Sequence, residues 1–318
     1  MTDAALLTVD RVSIAFGEAQ PIVKEVSCEV FPGQTTCIVG ESGSGKTLTS
    51  LAVMGLLPGS GALTHGEVRG PDGAVWAKPG WHGAPVGRDV AMVFQDPMSS
   101  LNPSMRVGAQ VAEPLELHRD TRGEAARAEV ARLFDEVGLP EGSERKYPHE
   151  LSGGQKQRVM IALALACNPR VLLADEPTTA LDVTVQRDIL DLLQQLRDER
   201  GLGVLFVTHD LDVVRDIADH VVVMRHGEVV ESGPCQGVMN APKHPYTQFL
   251  IEANPEPDPK SERDKPFSRL TGEITSPVNI GAGCRFADRC PIADTGCRKE
   301  TPLLRAVGDN RLIACHNV

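Results

Sequence analysis

Residues 40–47, Gly-Glu-Ser-Gly-Ser-Gly-Lys-Thr, carry the spacing of a phosphate-binding loop. Gly40, Gly43 and Gly45 let successive backbone N–H groups turn inward around an anion, with Glu41, Ser42 and Ser44 between them. A helix opening directly after such a loop adds unpaired N–H donors and the positive end of its dipole. Lys46 is a point charge for the β- and γ-phosphates and Thr47 a hydroxyl for Mg2+, whereas Leu48 offers no further ligand. An acidic pair follows at the end of the apolar run Val-Leu-Leu-Ala-Asp-Glu, residues 171–176. A strand ending in Asp175 sets a carboxylate beside the loop, where it holds Mg2+ or its water shell. Glu176, next in line, is suited to orient and polarise an attacking water.

Residues 151–155, Leu-Ser-Gly-Gly-Gln, open a helix of their own. Ser152, Gly153, Gly154 and Gln155 therefore form a second anion-binding helix start. One nucleotide on one core does not need two such sites. A second chain closing over the first chain's γ-phosphate would use the spare one.

Four of the eight cysteines gather near the C-terminus: Cys284, Cys290, Cys297 and Cys315. Of the others, Cys28, Cys37 and Cys167 sit in apolar runs and Cys235 follows a Gly-Pro turn, so they read as buried or inert thiols. The stretch from residue 283 onward is shorter than the ~40 residues at which a chain usually folds without a staple, and its apolar residues are few. Disulfides are disfavoured in a reducing compartment, and zinc prefers tighter cysteine pairs than these. Four thiolates at loose spacing can wrap a [4Fe–4S] cubane, and Pro291 after Cys290 matches the Cys-Pro of bacterial ferredoxin sites. Zinc, disulfides and free thiols stay open beside it.

The elements that must position these groups follow from hydrophobic periodicity. Residues 6–39 alternate in short strand-like runs broken by Gly and Pro. Leu48, Leu51, Ala52, Met54 and Leu57 recur at helical spacing after the phosphate loop, with Pro58 as the stop. Residues 58–90 are Gly-rich and predict about two strands. A buried strand is expected at 90–95, helices over 105–139 and 153–168, a strand at 171–175, a helix at 182–200, a strand at 203–210 and a short helix at 211–220. A hairpin should turn at His226-Gly227. Strand and helix alternate in the βαβ manner, so the sheet should be mostly parallel, with the helical stretch at 100–150 inserted into it. From residue 240 the chain turns rich in Pro and charge and reads as a linker or extended arm, not a core element.

The chain has 318 residues, 41% of them hydrophobic, which is ample for a globular core. A net charge of −11 argues against a general nucleic-acid binder. The N-terminus lacks the basic start and apolar run of a signal peptide, and no run reaches the ~18 apolar residues of a membrane span. These features predict a cytoplasmic protein, with any pore formed by other chains.

Together the motifs resemble those of an ATP-binding-cassette ATPase over about residues 6–240. The resemblance implies an α/β P-loop core with a mostly parallel sheet, an antiparallel β-subdomain and an inserted helical subdomain at about 96–155. It makes 1–240 the nucleotide-binding domain and 241–318 a C-terminal extension ending in the four cysteines. It implies that Phe16 stacks on adenine, that Gln95 reaches Mg2+ and water and senses the transport partner, that Asp182 lies on the dimer interface, and that His209 contacts the γ-phosphate. Lys46, Glu176, Gln95 and His209 are then the catalytic set, and Thr47, Gln95 and Asp175 the Mg2+ set, with ATP as the nucleotide.

Residues 94–108, 147–162 and 174–186 are similar to the subunits that energise dipeptide and oligopeptide import, a pattern shared with nickel importers. His244-Pro245-Tyr246-Thr247 and the cysteine tail resemble the end of that subfamily. The implied partners are membrane permease subunits, a second cassette (identical or a paralogue) and an external substrate-binding protein, with this chain on the cytoplasmic face of the membrane and the cluster in the tail. Alternatives are an importer of nickel or another small solute, and a non-transport cassette acting on ribosomes, DNA or iron–sulfur assembly.

Overall fold

The protein's structure, a computed structural model, describes residues 4–179, 181–254 and 282–318. The chain opens with β1 (Leu7–Phe16), β2 (Val23–Val30) and β3 (Thr35–Val39), then the phosphate loop and α1 (Lys46–Met54). It continues through β4 (Gly61–Arg69), β5 (Val75–Lys78), β6 (Trp81–His82) and β7 (Val90–Val93). Four helices come next: α2 (Pro97–Ser100), α3 (Val107–Arg119), α4 (Gly123–Glu136) and α5 (Gly153–Leu165). The order β8 (Val171–Asp175), α6 (Val183–Arg200), β9 (Gly203–Thr208), α7 (Leu211–Ile217), β10 (His220–Arg225) and β11 (Glu228–Pro234) completes the alternation. Last come α8 (Cys235–Asn240), α9 (Pro245–Ala253), β12 (Arg305–Ala306) and β13 (Leu312–Ile313).

Two sheets form. The larger has eight strands in the order β12-β13-β11-β10-β3-β9-β8-β7, parallel from β10 to β7. The smaller, β2-β1-β4-β5-β6, is antiparallel. Residues 58–90 thus supply three strands where about two were expected, because short β5 and β6 add to β4.

The core strands alternate between two faces, as a pleated strand must. Cys37 and Val39 enter a core with the helices α3–α8, while Ile38 between them faces the small sheet and α1. Val204 and Phe206 likewise oppose Leu205 and Val207. Both faces of the parallel strands are covered, so these strands read as continuous apolar runs.

The parallel register has a functional consequence. Val39 pairs with Thr208, Val207 with Asp175, and Ala174 with Val93. The C-terminal ends of β3, β9, β8 and β7 therefore lie side by side along one sheet edge. Open parallel sheets bind ligands along that edge.

The C-terminal region differs from the expected arm. Residues 245–253 form α9, and Tyr246 is wholly buried. The His244 side chain caps α9 by accepting from the Tyr246 N–H at 3.0 Å, and Pro245 sits at its first turn, where a missing N–H costs nothing. Beyond it, β13 pairs with β11, so the end of the chain joins the edge of the large sheet. The Pro- and charge-rich residues 255–281 lie outside the described residues. No helix among the described residues is long and apolar enough to cross a membrane.

Candidate functional site

The phosphate loop connects β3, which lies between β10 and β9 among the parallel strands, to α1. Gly40 has φ +152°, and a Cβ there would stand 2.2 Å from the Met224 carbonyl oxygen, so only glycine fits against β10. Gly45, with φ +97°, caps α1 without a side-chain hydrogen bond, and no acid occupies the first turn. The helix therefore presents free N–H donors. By contrast, α5 is closed by a reciprocal box between Ser152 and Gln155, and α6 by the Asp182 carboxylate accepting from Val185 N at 3.0 Å. The α1 terminus fits a phosphate group through these open donors. The buried Ser44 hydroxyl beside it has no partner among the described residues.

Lys46 lies over the loop, with Nζ donating to the carbonyls of Gly40 at 2.8 Å and Glu41 at 3.1 Å. Burial pushes its amine below the usual lysine range, against the pull of Glu176, Asp175 and Glu41. Thr47 Oγ1 donates to Asp175 Oδ1 at 3.0 Å. Burial raises the Asp175 carboxyl above the usual range, against the Thr47 bond. A desolvated carboxylate touching a hydroxyl is a donor set suited to a hard cation such as Mg2+.

Glu176 is the most strongly held side chain of the site. Its backbone adopts φ +46°, a left-handed conformation that a non-glycine residue keeps only where its surroundings enforce it. Its carboxylate accepts from Gln95 Nε2 at 3.2 Å, Thr179 Oγ1 at 3.0 Å and His209 Nδ1 at 3.1 Å. Gln95 follows β7 and His209 follows β9, so the strand order brings both to Glu176, the acid just past the end of β8. These groups and the loop line one cavity of about 690 Å³.

Thr179 and, from α9, Leu250, Ala253 and Asn254 also line this cavity and were not expected there. Thr179 was legible in principle, since a hydroxyl three residues after a strand-end acid can turn back onto it. The α9 wall was not, because it depends on tertiary packing. Phe16 is half-buried, packs on the core shared with the small sheet, and does not line the cavity. Ser152, Gly153, Gly154, Gln155 and Asp182 stand outside it as well.

The four tail cysteines converge. Cys284, Cys290, Cys297 and Cys315 line one small cavity of about 10 Å³, next to His244 and Phe286. Burial raises the Cys284 and Cys290 thiols, and each is raised further by the neighbouring cysteines. None is in a disulfide. Among the described residues no group of three or more His, Cys, Asp or Glu is arranged to hold a metal ion.

Comparison with known proteins adds the following. The sequence profile "ABC transporter" matches residues 23–179, and "Oligopeptide/dipeptide transporter, C-terminal region" matches residues 230–297. The Dipeptide transport ATP-binding protein DppD of Escherichia coli K12 is 43% identical, spanning 98% of this chain and 96% of that protein. DppD of Shigella flexneri matches to the same extent. Among solved structures, cbiO1 from Clostridium perfringens, part of the ABC transporter complex cbiONQ, superposes with a TM-score of 0.64 at 27% identity. It covers 75% of this chain and 92% of its own.

Proposed function

We propose, from the premise that this chain belongs to the ABC transporter family, that it is the ATP-hydrolysing subunit of a membrane importer for dipeptides or oligopeptides. The observation that carries the reading is the convergence of Lys46, Thr47, Gln95, Glu176 and His209 on one cavity at the open edge of the parallel sheet. The C-terminal match favours peptides over nickel or another solute, and transport over ribosome, DNA or iron–sulfur assembly work.

Mg2+–ATP, when bound, supplies the phosphoryl group and part of the charge that neutralises its oxygens. The α1 N-terminus and Lys46 would bind the phosphates, and Thr47, Asp175 and Gln95 would hold the cation. Glu176 orients the attacking water and takes its proton. Gln95, Thr179 and His209 fix the Glu176 carboxylate, so its two oxygens are aimed before nucleotide arrives, which is the positioning that phosphoryl transfer chiefly needs. Phe16 is assigned to the adenine side. Ser152, Gly153, Gly154, Gln155 and Asp182 are assigned to the facing site of a second cassette, identical or paralogous. That assignment accounts for their standing outside this chain's own cavity.

The same reading divides the chain at about residue 240, with a helical subdomain at 96–155 that meets the permease subunits and an extension at 241–318. It sets the chain peripherally on the cytoplasmic face, in a complex served by an external substrate-binding protein. The acidic charge supports no nucleic-acid partner.

Exchanging Glu176 for Gln tests the ATPase reading. Nucleotide binding should persist while hydrolysis slows by roughly two decades, the scale of a lost general base. Near-normal turnover would remove Glu176 from this role.

For the tail, the donor count and thiol chemistry around one cavity support a structural [4Fe–4S] cluster on Cys284, Cys290, Cys297 and Cys315. Holding it requires the cavity to expand, since its present volume is about that of a single water. Anaerobic purification should give iron and sulfide with a visible charge-transfer spectrum. Stoichiometric zinc, or Cys–Cys bonds without metal, would exclude the cluster.

A further inference from the structure

The cysteine tail reaches the phosphate loop at Glu41. Every polar group of Glu41 is engaged. Its N–H donates to the Tyr246 hydroxyl at 3.1 Å, and its carbonyl accepts from Lys46 Nζ at 3.1 Å and from the Ser44 backbone N–H at 3.2 Å. Its carboxylate accepts from Arg225 Nη1 at 3.0 Å and lies 3.6 Å from Arg289 Nη1. Three of these five partners come from outside the loop: Arg225 ends β10, Tyr246 lies in the first turn of α9, and Arg289 lies in the tail, between Cys284 and Cys290.

These partners are themselves fixed. The Arg225 guanidinium stacks over Tyr246 at 4.7 Å and Phe286 at 5.0 Å, and its Nε donates to the Arg285 carbonyl at 2.9 Å. Arg289 lies 5.1 Å over the Phe249 ring. Tyr246 is fully buried and meets Phe286 edge-on at 5.5 Å. Desolvated cation–ring contacts of this kind hold a guanidinium plane in place.

The geometry points to Tyr246 and Arg289 as positioning residues for nucleotide binding: the C-terminal tail braces the phosphate loop through Glu41. The inference rests on the ATPase reading above. The physical link is Lys46. Its amine leans on the Gly40 and Glu41 carbonyls, and the Gly40 carbonyl shares one peptide plane with the Glu41 N–H, so the orientation of that peptide sets where the charge stands before it meets phosphate. Tyr246 fixes the peptide from its N–H side, and the two arginines fix the side chain. Loss of the brace lets the peptide turn, which weakens nucleotide capture and leaves the chemical step at Glu176 intact.

The test uses the full-length chain carrying Glu176→Gln, with nucleotide Kd and thermal unfolding read together, and KM and kcat measured in the otherwise wild-type chain. Tyr246→Phe keeps the ring and loses one hydrogen bond, so Kd and KM should rise about 2- to 10-fold with kcat nearly unchanged. Arg289→Gln should raise Kd by about 2- to 5-fold, the scale of a partly exposed ion pair. In a Glu41→Gln background the Arg289 effect should vanish, because its partner charge is gone. The Tyr246 effect should remain, because it acts on the backbone N–H. A merely structural role predicts lower thermal midpoints with unchanged Kd and KM, and that result overturns the proposal. An Arg289 effect that persists in the Glu41→Gln background overturns it too. If the wild-type chain binds no nucleotide, the ATPase reading falls and the brace with it.

Discussion

Asp175 ends β8 with 4% of its surface exposed, next to a second acid, Glu176. Its one described hydrogen bond is to Thr47. Burying an anion with so little compensation opposes folding, and such residues persist where function needs them. Asp175→Asn keeps an acceptor for Thr47 and removes the charge. The variant should unfold at a higher temperature, by roughly 2–4 °C for a gain of about 1 kcal/mol in a chain of this size. It should also lose Mg2+-dependent nucleotide binding. A scanning calorimetry midpoint below wild type, or Mg2+-dependent binding at wild-type strength, would contradict this account of the residue. The phosphate loop and the Asp175–Glu176 pair were legible in the sequence because each is a local pattern bound to a strand end. The Glu41 contacts were not, since Arg225 and Tyr246 lie 184 and 205 positions away and only the folded chain joins them.

At the scale of elements, the alternation of helix and strand and the mostly parallel sheet followed from periodicity, and the β10–β11 turn at His226-Gly227 was found where expected, whereas the strand order emerges only from the folded chain. The apparent arm after residue 240 misled for a physical reason. Tyr246, Phe249, Leu250 and Ala253 repeat at helical spacing, but Pro, Lys and Glu on either side dilute the pattern, and burial of Tyr246 depends on Phe286 in the distant tail. What docks the tail on the sheet is a buried ion pair. Glu231 on β11, 1% exposed, accepts from the backbone N–H of Lys243 and His244 at 3.0 Å each, and from Arg311. Arg311 also donates to the Ala241 carbonyl at 2.8 Å. The pair thus ties β11, the entry to α9 and the last strand. Arg311→Met strands the carboxylate without a counter-charge, which should cost about 3–5 kcal/mol in denaturant unfolding. Pairing it with Glu231→Gln should recover part of that loss. A single variant within about 0.5 kcal/mol of wild type would show that the pair does not anchor the tail.

At the scale of the whole molecule, the two helix starts singled out in the sequence stand apart. The α1 terminus is open and faces this chain's cavity, while Ser152 and Gln155 cap each other outside it. On the function proposed above, the signature residues of a second cassette would complete this chain's catalytic centre, and its motion would become transport only when coupled to permeases. The central claim is accordingly one of coupling: hydrolysis at Glu176 drives peptide across a membrane. The direct measurement is uptake of a labelled dipeptide or oligopeptide by vesicles that hold the assembled permease complex, with ATP and this chain on the same side. Uptake should require ATP and fall by roughly two decades with Glu176→Gln, in step with the loss of hydrolysis. Peptide uptake that proceeds unchanged with Glu176→Gln, or full ATP turnover by the assembled complex with no peptide moved, would contradict it.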